Sequence, residues 1–514
     1  MTACYRLLGG AAICALMIGV ASAQTSDTNA QIQLLQQQIQ QMQQQLQSLQ
    51  NQVNAQAAQP PAAAPSATAA NAIPMPHLTQ TPGHRFGIQS ADGQNSIALS
   101  MQLQFDAGDY LSYHPDSAAT GVAHGLSAAT PHDLNSGVNA RRARFGVVGT
   151  IAGDWGYTFV WDFGGSQDSG SGGTTNPGAG AGIEKGYITY NGLYNGPFPV
   201  AFDLGYQDVP YTLDEATSSN DILFMERASS QVIAANIAAG DFRSAAGIRS
   251  NDDRYWAGVY VTGPTSGTTH SFPEQYGMAA RAAYQLLQEQ DYTLHVGADF
   301  EALLKAPSTT AAPLLDTLTL SDRPELRIDP TSIISTGALG TAGNQVSGAQ
   351  VYSYELAGNY ENLFAQSEGF VYQISRYGLP DNTFYGGYLQ GAWTITGEQH
   401  KYNPAAGAYG GITPAVPFSL KNGGWGAWEL AARYSYMNLD DNVASALAGG
   451  AAAGKGNGIV GGRQQVMTLG LNWYPNNNIR FDLDYLHGLI DKTSTAGENG
   501  ASFDALAARA QVQF

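Results

Sequence analysis

Apolar and polar positions alternate with a period of two through most of the chain after residue 83. Ile97, Leu99, Met101, Leu103 and Phe105 interleave with Ala98, Ser100, Gln102 and Gln104. Tyr292, Leu294, Val296, Ala298 and Phe300 interleave with Thr293, His295, Gly297, Asp299 and Glu301. Trp428, Leu430, Ala432, Tyr434 and Tyr436 do the same with Glu429, Ala431, Arg433 and Ser435. That period belongs to strands with one apolar and one polar face. In a soluble sandwich the apolar faces pack together; in a membrane barrel they meet lipid and the polar faces line a wet lumen. Alternation alone does not separate the two. The patterned stretches run roughly eight to eleven residues, the length of a tilted strand across a bilayer. Trp425, Trp428, Trp473 and Tyr474 sit near strand ends, where interfacial girdles need them. The expected fold is all-β, a transmembrane antiparallel barrel.

The first 82 residues read differently. Arg6, an apolar run over 7–20 and Ala21-Ser22-Ala23 predict a cleaved signal peptide over 1–23. Cys4 and Cys14 both fall inside it, so the exported chain has no disulfide framework. Within 24–56, Ile32, Leu35, Ile39, Met42, Leu46, Leu49 and Val53 follow an unbroken 3,4 spacing among glutamines. That is a heptad pattern and predicts a short oligomerising coiled coil; a partly helical glutamine tract is the other reading. Residues 57–82, with Pro60, Pro61, Pro65, Pro74 and Pro76, read as a spacer before a barrel over 83–514.

Charge narrows the partners. The chain of 514 residues has 23 Lys and Arg against 41 Asp and Glu, a net charge of −18 that falls entirely on residues 85–514. An acidic excess argues against nucleic acid, whose phosphates demand Lys and Arg. It suits a barrel rim beside lipopolysaccharide and divalent cations. The 43% hydrophobic content excludes an intrinsically disordered chain. The segments 110–138, 306–349, 397–425 and 438–464 are expected to be surface loops.

Arg141-Arg142-Ala143-Arg144-Phe145-Gly146 followed by Gly153-Asp154-Trp155-Gly156-Tyr157 resembles a strand, turn and strand of the phosphate-selective porin O/P family. So do Glu184 to Tyr190, Glu215-Ala216-Thr217-Ser218-Ser219, Phe224-Met225-Glu226-Arg227, Gly426-Ala427-Trp428-Glu429-Leu430 and Leu469-Gly470-Leu471-Asn472-Trp473-Tyr474, all in order. The final strand, Leu506 to Phe514, is similar to the assembly signal of bacterial outer-membrane barrels, with Phe514 as the residue the assembly machinery reads. The resemblance implies a homotrimer of sixteen-stranded barrels in the outer membrane of a Gram-negative bacterium, each barrel with a third loop folded inward. It also implies a pore for small hydrophilic solutes and no cofactor.

The pore residues depart from the family. Where phosphate-binding members carry a lysine in the infolded loop, this chain has Glu215; where they carry an inward arginine on the first strand, it has Gln102. Candidate constriction residues are Arg142, Arg144, Glu184, Asp208, Asp214, Glu215, Asp221, Arg227, Arg323, Arg327, Arg433 and Arg480. One reading is a positive wall facing acidic Asp208, Asp214, Glu215 and Asp221; the other is that the arginines pair with carboxylates to hold loops. The expectation is a weakly selective or cation-preferring diffusion pore, with phosphate selectivity or a barrel that anchors a periplasmic tether as alternatives. Gly-x-Ser-x-Gly and His-x-x-x-His pairs are absent, and Gly456-Asn457-Gly458-Ile459-Val460-Gly461 has no following amphipathic helix, so nothing points to an enzyme.

Overall fold

A computed structural model describes residue 44 and residues 77–514, apart from 82–84, 115–133, 165–181, 194–198, 267–271, 312, 449–457 and 493–498. The chain divides into two units, Met1–Ile73 and Pro74–Phe514. The signal segment and the heptad residues from Ile32 to Val53 lie outside the described residues. The spacer ends earlier than its composition suggests, because His77–Thr81 is already a strand, paired with Arg85–Gln89.

Sixteen strands form an antiparallel meander. They are β1 (Ser96–His114), β2 (Gly137–Ile151), β3 (Trp155–Asp162), β4 (Gly182–Leu193), β5 (Val200–Val209), β6 (Gly240–Asn251), β7 (Tyr255–Thr265) and β8 (Tyr276–Gln288). The second half is β9 (Tyr292–Lys305), β10 (Val346–Tyr360), β11 (Leu363–Arg376), β12 (Asn382–Thr394), β13 (Ala427–Asp441), β14 (Ile459–Asn476), β15 (Ile479–Asp491) and β16 (Asn499–Gln513). β16 returns to β1 with Ala510 opposite Phe105 and Leu506 opposite Asp109, so the sixteen strands close into a barrel. The N-terminal hairpin extends the sheet beside the start of β1, with Ile88 opposite Ile97.

Burial decides which way the two strand faces point. Gln104, Glu184, His295 and Glu355 are at most 2% exposed, whereas Leu204 and Leu469 are 58% and 56% exposed. On β13, Glu429, Arg433 and Ser435 point inward while Leu430 and Tyr434 point out. This inversion of the usual soluble pattern requires a hydrocarbon surround, so the barrel spans a membrane.

The tight turns 152–154, 252–254, 289–291, 361–362 and 477–478 all lie at one end. Two long connections from the other end turn inward. Residues 210–239 enter the lumen and carry α1 (Leu213–Ala216) and α2 (Ser229–Ala238). α2 has no charged side chain, and Val232, Ile233 and Ile237 are buried. Ile233 and Ile237 join Phe370, Tyr372, Phe384 and Met437 of β11, β12 and β13 in an apolar core inside the barrel. Residues 306–345 add Leu320, Ile334 and Leu339 to it. Two loop expectations are thereby corrected. The stretch 306–349 is not a surface loop, because its apolar residues find partners inside the lumen. The stretch 397–425 lies at the tight-turn end, between β12 and β13, and its first half also folds inward.

Candidate functional site

The infolded loop is held to the wall by buried ion pairs, and Glu226 is their hub. Arg141 donates to it twice, Nε to Oε1 at 2.6 Å and Nη2 to Oε2 at 2.9 Å. Arg509 Nη2 donates to its Oε1 at 3.1 Å, and Arg327 Nε lies 3.7 Å from Oε2. Burial alone would raise this carboxyl, but Arg141, Arg509 and Arg142 outweigh it and hold Glu226 far below the usual carboxylate range. Arg509 also grips Asp106 through two bonds of 2.7 and 2.8 Å and donates to Met225 O at 2.6 Å. Arg433 donates to Glu226 O and to Glu325, and its guanidinium lies over the Phe224 ring. Arg480 donates to Ile222 O and Leu223 O at 2.7 and 3.1 Å while pairing with Asp482. From across the barrel, Glu368 on β11 accepts the Leu213 and Asp214 N–H groups at 2.7 and 3.2 Å and so caps α1.

Between this loop and β1–β5 lies a cavity of about 620 Å³. Its charged lining is Arg85, Arg144, Lys185, Glu184, Asp208, Glu215 and Asp221, with Gln102, Ser218, Ser219 and Asn220 as neutral partners. Arg144 pairs with Asp162 at 2.9 Å and Glu184 at 2.5 Å, and Lys185 lies 3.6 Å from Asp208. Glu215 accepts from Gln231 at 2.5 Å and lies 3.6 Å from Arg227. Burial pushes Asp221 up, with Arg480 and the Gly411 N–H pulling against it. Burial likewise raises Asp214, opposed by Arg227.

The inward half of 395–426 lines the same cavity from the tight-turn end. His400 places Nδ1 2.8 Å from Gly410 O and Nε2 2.6 Å from Glu429 Oε1. Both neighbours are acceptors, an arrangement that only the doubly protonated ring satisfies at both nitrogens. Burial alone would lower its pKa; the Glu429 carboxylate and hydrogen bond reverse that and raise it. Arg281 on β8 donates to Ala406 O and Gly407 O at 2.8 and 2.6 Å. A Cβ at Gly411 would stand 2.7 Å from Asp221 Oδ1, so only glycine lets this segment meet the infolded loop so closely.

Of the twelve candidates, Arg144, Glu184, Asp208, Glu215 and Asp221 line the cavity. Arg142 is buried against Gln104, and Arg227 binds Asp214 O and Thr217 O within the loop itself. Arg327 pairs with Asp322 at 2.6 Å, and Arg323 sits half-buried beside it in 306–345. Asp214, Arg433 and Arg480 likewise belong to the scaffold that holds the loop. Lys185 and Arg85 line the cavity without having been among the candidates. Lys185 reaches the lumen although its neighbour Glu184 does so too, because the ladder between β3 and β4 slips by one residue at Val160/Trp161. No periodic signal reveals a bulge. Arg85 figured in the sequence only as the first residue of the charged stretch 85–514.

The lipid-facing exterior, the polar interior and an infolded loop define a porin barrel of the outer membrane. The phosphate-selective porin O and P family model matches residues 125–514, and the chain belongs to that family. Porin O of Pseudomonas aeruginosa is 24% identical over 402 residues, covering 73% of this chain and 81% of that protein. An uncharacterized protein of Caulobacter vibrioides is 34% identical over 109 residues, 21% of this chain, and the chain covers 18% of that relative's length. Among solved structures, OmpT of Vibrio cholerae aligns with a TM-score of 0.45 at 10% identity, over 82% of this chain and 98% of that one. An anion-selective porin from Comamonas acidovorans aligns at 0.43 and 11% identity, over 82% and 100%.

Proposed function

We propose that the protein is a passive diffusion pore for small hydrophilic solutes and ions with a weak preference for cations. The charge pattern of the 620 Å³ cavity carries this reading. Four carboxylates face three cationic side chains, and two of those cations, Arg144 and Lys185, are already engaged by Asp162, Glu184 and Asp208. On the loop side, Glu215 stands where phosphate-binding relatives place a lysine, and Asp221 stands beside it. A passing anion therefore meets neutralised positive charge on one wall and, on the other, Asp221 together with a Glu215 whose own cation, Arg227, lies 3.6 Å away. Movement is driven by the solute's own gradient and needs no cofactor.

Arg85 favours the opposite selectivity, since its guanidinium has no carboxylate partner among the described residues. A homotrimer stapled by the heptad segment, export through the N-terminal signal, barrel insertion through Phe514 and contact with lipopolysaccharide complete the proposal. The test is the reversal potential of the purified protein in a planar bilayer under a KCl gradient. A modest potassium preference, reduced in Asp221→Asn, is expected. Strong selection of chloride or phosphate over potassium would sink the reading, and Arg85→Gln then identifies its source.

A further inference from the structure

The second half of the 395–426 connection behaves oppositely to the first. After Gly411 it leaves the lumen and folds back over the outer wall. Phe418 sets its edge on the Trp473 ring, with centroids 5.2 Å apart and planes at 85°. Trp473 is itself stacked between Trp428 and Phe481, both at 5.4 Å. These are outward positions of β13, β14 and β15, so the segment rests on the lipid-facing aromatic belt.

Its shape is fixed by hydrogen bonds. Phe418 N donates to Pro475 O at 2.7 Å, and Trp473 Nε1 donates to Trp425 O at 2.9 Å. Ser419 N donates to Gly424 O at 3.0 Å and Gly423 N to Ser419 O at 2.9 Å, closing a turn in which Gly423 takes a φ of 74°. At the tip of this rigid turn, Leu420 is 90% exposed; Trp425 and Val416, at its base, are 71% and 62% exposed. Residues 413–426 contain no acid, and Lys421 is their one charge.

A rigid turn that presents leucine, valine and tryptophan to water would be a liability in a soluble domain. Here the apolar residues continue an apolar belt that already faces hydrocarbon. The turn lies at the tight-turn end, which in outer-membrane barrels is the periplasmic one. Trp425 suits the interfacial zone, Leu420 the acyl region, and Lys421 can stretch back to a phosphate group. We propose that residues 416–425 form a finger inserted into the periplasmic leaflet, with phospholipid as the occupant of its apolar face. The finger would anchor the outer arm of a connection whose inner arm lines the pore cavity.

Position 420 allows a direct test, because both cysteines, Cys4 and Cys14, precede residue 24 and the remainder of the chain has none. Leu420→Cys, purified from outer membranes and labelled with an environment-sensitive fluorophore, is reconstituted in phosphatidylethanolamine and phosphatidylglycerol vesicles. Ala91→Cys, in the exposed turn before β1, is the water-facing control. The expected result is a blue-shifted emission that loses most of its intensity to lipid carrying a nitroxide on its acyl chain and little to aqueous iodide. Emission and iodide quenching equal to the Ala91→Cys control would overturn the proposal. So would a blue shift that nitroxide lipid cannot quench, which would place a second copy or another protein on the finger.

Discussion

Glu226→Gln is the substitution that most directly probes how the pore is shaped. The change keeps the side chain's volume and removes only its charge. Glu226 is buried and receives hydrogen bonds from Arg141 at 2.6 and 2.9 Å and from Arg509 at 3.1 Å, with Arg327 at 3.7 Å. Removing the anion leaves the buried Arg141 guanidinium without its main countercharge, a loss of about 3–5 kcal/mol, while Arg509 and Arg327 keep Asp106 and Asp322. The barrel ladder is untouched, so the loss falls on docking of the 210–239 loop. At about 1.4 kcal/mol per factor of ten, the docked-to-undocked ratio drops by roughly a hundredfold to a few thousandfold. Single-channel recording is the assay: Glu226→Gln is expected to flicker to higher conductance levels, with a noisier baseline than wild type. Arg463→Gln, which removes a half-exposed surface pair with Asp491, is the neutral control. If Glu226→Gln records the same conductance, noise and selectivity as wild type, the ion cluster is not what keeps the loop docked. The pH profile adds a second check. A carboxyl whose folded pKa is depressed contributes stability above its unfolded pKa and loses it as pH falls through the folded value. For Glu226 that value lies far below the usual range, so its contribution to docking is expected to persist through mildly acidic pH.

His400 has the opposite sign: its raised pKa means the clasp on Glu429 is complete below the ordinary histidine pKa and is lost as pH climbs through the raised one. The protection of the 399–412 amides, relative to their intrinsic exchange rate at each pH, is therefore expected to fall on the alkaline side in wild type and to be low at every pH in His400→Gln; equal, pH-independent protection in both would exclude the clasp. Gly488→Ala places a Cβ 2.0 Å from Phe503 Cε1, so an overpacking cost of about 1–3 kcal/mol should lower the temperature at which the barrel loses its heat-modifiable gel shift. Unchanged migration across the melting range would mean that the wall yields around Phe503. Deleting residues 24–76 should leave single-channel conductance intact and remove SDS-resistant trimers; intact trimers would exclude the heptad segment as the staple.

The barrel was legible along the chain because strand polarity is a local property. Each alternating stretch, from Ile97–Phe105 to the strand ending at Phe514, declares its two faces without reference to any other part of the molecule. The acidic surplus was legible for the same reason, whereas Glu215 as the replacement for a lysine was an expectation from the family resemblance. What the tertiary structure alone decided is which inward residue meets water. Arg144 and Arg433 share the same inward phase, yet one borders the cavity and the other is sealed under the infolded loop, bonded to Glu226 O and Glu325. That difference depends on a loop more than 200 residues away from Arg433 in sequence, which no local pattern encodes. Lys185 enters the lumen through a one-residue register slip, and 397–425 has the composition of a surface loop while its two halves face the lumen and the outer wall. A buried charge is committed by its partners, and partners are brought together only when the barrel closes.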